Sequence, residues 1–216
     1  MSARLDLPRV EMNMKATSAH QEGMQSSKRL LGPLIGVAAL VVILAVILAS
    51  DTVKAQVVFW WLTMQRTDEG SRGAAEWLSR SPCGVRLAVE DISSYGGKTG
   101  GWSSGILRAS ALHKEVEQGL APIIRSEFAP MDKKVAALWV MWERTRSPEY
   151  LIRLFRAVQG PGDIPVHHGR LLLWQALPPD ADIAEAIRDT PQDKGLTVSL
   201  KEFEKVTANP DRLRVQ

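Results

Sequence analysis

Residues Leu30 to Ser50, LLGPLIGVAALVVILAVILAS, run for 21 positions without a charged side chain, and thirteen of the twenty from Leu30 to Ala49 are Leu, Ile or Val. As a helix rising about 1.5 Å per residue, the run reaches about 31 Å and matches a hydrocarbon core about 30 Å thick. The expected organisation is a tail over 1–29, a single transmembrane helix over 30–50, an apolar juxtamembrane segment over 51–66 and one domain over 67–216. The last piece has the length of one compact unit.

Charge is distributed unevenly about this run. Arg4, Arg9, Lys15, Lys28 and Arg29 precede it, and only Lys54 and Arg66 follow within the next sixteen residues. By the positive-inside rule the tail is expected in the cytoplasm and the domain on the exported side, periplasmic or extracellular. The whole chain carries +3, yet 67–216 holds 20 basic and 20 acidic residues and has no net charge. A nucleic-acid partner needs a clustered cationic excess, so none is expected. Cys83 is the single cysteine, which excludes an internal disulfide, and neither Asn13 nor Asn209 opens a glycosylation sequon.

A cleaved signal is the alternative use of the same run. Translation from Met24 would leave Val53-Lys54-Ala55 as a small-residue cleavage pattern and free a secreted, periplasmic binding protein starting at Gln56. Signal apolar regions span about 7–15 residues, and the longer run favours an uncleaved anchor. Within the run, Gly32 and Gly36 stand four apart on one helix face, the small-residue spacing through which two membrane helices can pack as a homodimer. The bilayer itself and other membrane or envelope proteins are the remaining expected partners. Beyond the run comes Val57-Val58-Phe59-Trp60-Trp61-Leu62. A straight helix would carry Trp60 about 15 Å past Ser50, so the stretch must bend along the bilayer surface or pack on a protein surface. With only Lys54 and Arg66 nearby, packing is the expectation. Trp60, Trp61 and the loop residue Trp102 are candidate partner contacts.

The domain reads as mainly helical. A helix over about 72–80 is expected to end at Ser81-Pro82, and Val85, Leu87 and Val89 then alternate like a half-buried strand. Residues 93–105, with nine Gly or Ser in thirteen, read as a loop or hinge. A helix over about 104–118 is expected to stop at Gly119, with Pro122 in the first turn of the next. Val135, Leu138, Trp139 and Trp142 form an i, i+3, i+4, i+7 stripe, as do Leu151, Leu154, Phe155 and Val158. Ser147-Pro148 separates these two helices as a cap followed by a first-turn proline. Further helices are expected over about 166–177 and 180–189, and Ser199 to Glu202 has capping-box spacing. The tryptophans at helical spacing, Trp77, Trp139, Trp142 and Trp174, are expected in the core.

The helix pairs over about 104–189, with Leu138-Trp139 aligning with Leu173-Trp174 at a 35-residue offset, resemble the HEAT-like helical repeat family. The starts near Pro122, Pro148 and Pro179 are 26 and 31 apart, shorter than that family's usual repeat. The resemblance implies stacked helix hairpins with a concave protein-binding face; an irregular helical bundle is the alternative.

Tests for chemistry give one constellation. Gly101-Trp102-Ser103-Ser104-Gly105 matches the G-x-S-x-G nucleophile elbow, with Asp163 and His167 or His168 downstream in hydrolase order. The elbow requires a strand before it and a parallel sheet beneath it, and neither is legible here. Gly97-Lys98-Thr99 lacks the first glycine of a phosphate loop, since Ile92 stands in its place. Adjacent His167 and His168 diverge by about 100° on a helix and do not form a metal pair. No cofactor or metal is expected. The leading expectation is a single-pass membrane protein whose exported helical domain acts as an interaction scaffold or accessory subunit of an envelope complex, with a membrane-tethered serine hydrolase centred on Ser103 as the alternative.

Overall fold

The computed structural model describes residues 37–45, 49–64, 69–93, 101–178, 180–209 and 212–214. The chain divides into two units, Met1–Ser50 and Asp51–Gln216. In the first, residues 37–45 are helical (α1) with their side chains exposed. Among the described residues no helix is long and apolar enough to cross a membrane. The expected span over 30–50 lies outside them at 30–36, including Gly32 and Gly36, and at 46–48.

The second unit is built from ten helices among its described residues: α2 (Asp51–Met64), α3 (Glu69–Ser79), α4 (Pro82–Asp91), α5 (Trp102–Ala109), α6 (His113–Arg125), α7 (Met131–Thr145), α8 (Pro148–Ala157), α9 (Ile164–Ala176), α10 (Asp182–Arg188) and α11 (Leu200–Thr207). The mainly-α class is thus as expected, and no strand occurs among the described residues.

Two apolar clusters fill the unit, and α7 stands between them. Its Ala136, Ala137, Val140 and Met141 belong to the first, with Ala55, Phe59 and Leu62 of α2 and the buried residues of α3 to α6. Its Val135, Leu138 and Trp142 belong to the second, with α8 to α11. A helix buried on two sides must be apolar well beyond one stripe, and Val135 to Trp142 is an unbroken apolar run for that reason. Across the two-residue link Arg146-Ser147, α8 buries Leu151, Leu154 and Phe155, with Val158 after it, and Phe155 stacks on Phe203 of α11 with ring centroids 4.4 Å apart. Pro148 opens α8 at its first turn. The Ser199 capping box closes on both sides, as the spacing predicts: Glu202 N donates to Ser199 Oγ at 3.3 Å and Ser199 N donates to Glu202 Oε2 at 2.8 Å.

Several expectations are corrected. The strand over 85–89 is helix α4, whose Val85, Ala88 and following Ile92 face the core. Ser81 and Pro82 do not merely end α3; they open α4, with Ser81 Oγ accepting from Gly84 N at 3.4 Å. Gly119 and Pro122 lie inside α6 instead of bounding it. Gly119 is where α6 crosses α4, since a Cβ there would come within 2.8 Å of Val89 Cγ2. Pro122 withholds one hydrogen bond in the last turns, and the helix still closes with Ser126 N donating to Pro122 O at 3.0 Å. The loop over 93–105 gives up its C-terminal part to α5, which Gly101 opens at φ 101°, a left-handed conformation that glycine adopts without strain. Among the tryptophans, Trp142 is buried, Trp139 and Trp174 are half-buried, and Trp77 is 40% exposed, so it is not a core residue.

Candidate functional site

The α2–α4–α7 corner brings side-chain hydrogen bonds beside an exposed aromatic. A cleft of about 620 Å³ opens there, with Phe59 and Trp60 of α2 on one wall and Glu90, Asp91, Asp132 and Lys133 on the other. Ser93 Oγ donates to Asp132 Oδ2 at 3.0 Å, and Lys133 Nζ donates to Glu90 O at 2.6 Å. Ser103 Oγ donates to Asp91 Oδ2 at 2.8 Å. These bonds pin the C-terminal end of α4 to the first turns of α5 and α7, on either side of residues 94–100. The Asp91 and Asp132 carboxylates are engaged in joining chain segments, and no histidine among the described residues lines the cleft. An apolar wall with a charged rim is suited to binding.

Ser103, the elbow serine of the sequence, sits in the first turn of α5 at 2% exposure. Helix α5 packs on α3, α4 and α7. Asp163 precedes α9 and His167 lies within it, and α9 packs on α7, α8 and α10. Asp163 uses its backbone carbonyl to accept from Val166 N and His167 N, while His167 Nδ1 is buried without a hydrogen-bond partner. The Ser103 hydroxyl thus donates to a carboxylate of α4 in the first core cluster, whereas Asp163 and His167 sit at the start of α9, which packs in the second. His168 has its pKa lowered by burial first and by the neighbouring His167 second. Among the described residues no group of three or more His, Cys, Asp or Glu could hold a metal ion.

The candidate contact aromatics part company. Trp61 and Trp102 are half-buried against the first core cluster, and Trp102 is the first residue of α5 rather than a loop residue. Trp60 remains 60% exposed. Helical phase explains the split: Phe59 and Leu62 face α3 and α4, which turns Trp60 away. The sequence reading overlooked Phe128, 95% exposed in the link between α6 and α7. Its N–H donates to Ser126 Oγ at 3.2 Å, a local turn that holds the ring outward. An aromatic between Ser126 and Pro130, outside any periodic run, was the available signal.

No family model, curated protein or solved structure matches this chain.

Proposed function

We propose that the chain is a single-pass membrane protein whose helical body, Asp51–Gln216, serves as an interaction scaffold or accessory subunit of an envelope complex, anchored by residues 30–50 with the 1–29 tail in the cytoplasm. The observation that carries this reading is the placement of α2. The uncharged run ends at Ser50 and α2 begins at the next residue, with Ala55, Phe59 and Leu62 already inside the body's core. Cleavage before Gln56 would remove the first turn of α2, including the buried Ala55 and Thr52, whose Oγ1 lies 3.3 Å from Cys83 Sγ. An uncleaved anchor fits that packing. A HEAT-like stacking of α7 to α10 belongs to the same reading: α7 packs on α8, α9 packs on α10, and Leu138-Trp139 and Leu173-Trp174 share one pattern of buried leucine and half-buried tryptophan.

For a scaffold the partner surface must be exposed and apolar at a few points, and Phe128 and Trp77 meet that condition. The test is photo-crosslinking from position 128 in intact cells, followed by purification in mild detergent. A specific adduct of defined mass, lost when the crosslinker is moved to Lys201 on α11, supports the reading. Recovery of the uncrosslinked monomer alone from both positions refutes it. Protease added outside intact cells should digest the body and spare the tail.

A further inference from the structure

Among the described residues of its unit, none covers the outward face of α2. Val57 is 56% exposed, Trp60 60% and Met64 60%, with Val53 half-buried in line with them. At about 100° per residue these four positions fall within about 60° of one another, on the side of the helix opposite Ala55, Phe59 and Leu62. Lys54 and Gln56, both exposed, flank the stripe on its two edges. A helix that is apolar on its outer as well as its inner side is built for two apolar neighbours, and its unit supplies one.

We infer that the second neighbour is the lipid bilayer: α2 lies along the membrane surface with Val53, Val57, Trp60 and Met64 set into the headgroup–acyl boundary. This rests on the single-pass reading above. The choice of occupant comes from where the chain emerges. The uncharged run ends at Ser50, one residue before α2, so the N-terminal end of the stripe is held at the interface by the chain itself. Pointing away from the bilayer, α2 would carry Met64 about 20 Å into water. Lying flat, it places all four side chains at one depth. Trp60 then takes the interfacial position its amphipathic ring favours, and Lys54 at the edge reaches phosphate while its stem stays on the apolar side. The inner face stays on α3 and α4, so the body is held against the membrane along one helix and keeps Phe128 and Trp77 for partners.

The test uses the full chain with Cys83→Ser, carrying Val57→Cys or Trp60→Cys, and Lys201→Cys on α11 as control, each spin-labelled and reconstituted in phosphatidylcholine–phosphatidylglycerol vesicles. Collision rates with oxygen, which concentrates in lipid, and with a water-soluble nickel complex are compared. Oxygen is expected to dominate at 57 and 60 and the nickel complex at 201. Dominance of the nickel complex at 57 and 60 in protein that resists carbonate extraction overturns the inference and leaves the single-pass reading standing. Protection from both reagents at 57 and 60 means a protein covers the face, and it also overturns the inference; dipolar broadening between labels identifies that protein as a second copy. Release of the chain by carbonate removes the single-pass reading itself. Unchanged helical circular dichroism in each variant assigns the outcomes to the surface and not to unfolding.

Discussion

Replacing Arg170 by methionine is the sharpest test of how the second half of the body is held. Arg170 is 1% exposed, and its guanidinium has four carbonyl partners instead of a carboxylate. Nε donates to Val158 O at 3.1 Å, Nη1 to Pro191 O at 3.0 Å, and Nη2 to Gly160 O at 2.7 Å and Lys194 O at 2.8 Å. One side chain thereby joins the turn after α8 to the irregular segment after α10, beside two backbone bonds, Gly162 N to Gln192 O and Leu196 N to Gln159 O. Its planar fork is what lets it serve two chain segments at once. Burial alone lowers its pKa, and arginine stays charged, so the carbonyl dipoles are what compensate the buried charge.

Methionine keeps much of the stem's volume and removes every donor. Each charge-assisted bond is worth about 1.5–3 kcal/mol, and bonds from one group are not additive. Leaving several carbonyls unsatisfied sets an expected loss of about 4 kcal/mol, against a typical total stability of about 5–15 kcal/mol. With a urea slope of about 2 kcal/mol/M, the midpoint should fall by about 2 M, read by far-ultraviolet circular dichroism. Arg170→Lys, with three donors on one nitrogen, should lose less. If Arg170→Met denatures within about 1 kcal/mol of the parent, water reaches these carbonyls and the clamp is not a source of stability.

The remaining predictions concern single contacts. Gly119→Ala gains about 1 kcal/mol of helix propensity but forces a methyl to 2.8 Å from Val89 Cγ2, an overlap costing about 1–3 kcal/mol; Val89→Ala should suppress that overlap cost, and additive effects in the double-mutant cycle would refute the crossing contact. Ser199→Ala removes the Oγ that accepts from Glu202 N, leaves the backbone N–H of residue 199 on the Glu202 carboxylate, and should cost about 1 kcal/mol in thermal or urea melts, with Glu202→Gln losing less because an amide can still reach back. His168 is disfavoured as a cation in the folded state, so the unfolded chain binds more protons on acidification. The stability it contributes is present above pH 6.5, its ordinary value, and is lost as pH falls through its lowered folded value. His168→Gln should flatten that acid-side slope, and an unchanged slope refutes the assignment.

Where a segment's own chemistry sets its structure, the sequence was sufficient. Ser199 to Glu202 and the stripe Leu151, Leu154, Phe155, Val158 contain their cap and their core face within a dozen residues, and the structure uses each as read; Pro148 opens α8 as expected, while Ser147 precedes it without a side-chain capping bond. Of the three candidate contact aromatics Trp60 is the exposed one; the exposure of Trp61 and Trp102 depends on the rotational phase of α2 and on where α5 begins, which their place in the sequence does not give. The elbow motif around Ser103 misleads for a related reason: the glycine that would make a strand-to-helix turn here starts a helix, and the serine hydroxyl finds Asp91 of α4.

The two misplaced element boundaries share one cause. Over the five residues from Val85 to Val89, a period of two and a period of 3.6 both put apolar side chains at 85 and 89, so alternation alone does not separate strand from helix. A glycine near the expected end of a periodic run likewise reads as a stop. In the structure these two ambiguous sites touch: Val89 on α4 meets α6 at Gly119, where any larger residue would collide with it. Each misreading follows from not seeing the other partner. A glycine that terminates a helix and a glycine that lets a second helix pass are the same letter in the chain, and only the residue opposite distinguishes them. Here that residue is a valine thirty positions earlier, in a segment whose own periodicity is too short to declare itself a helix.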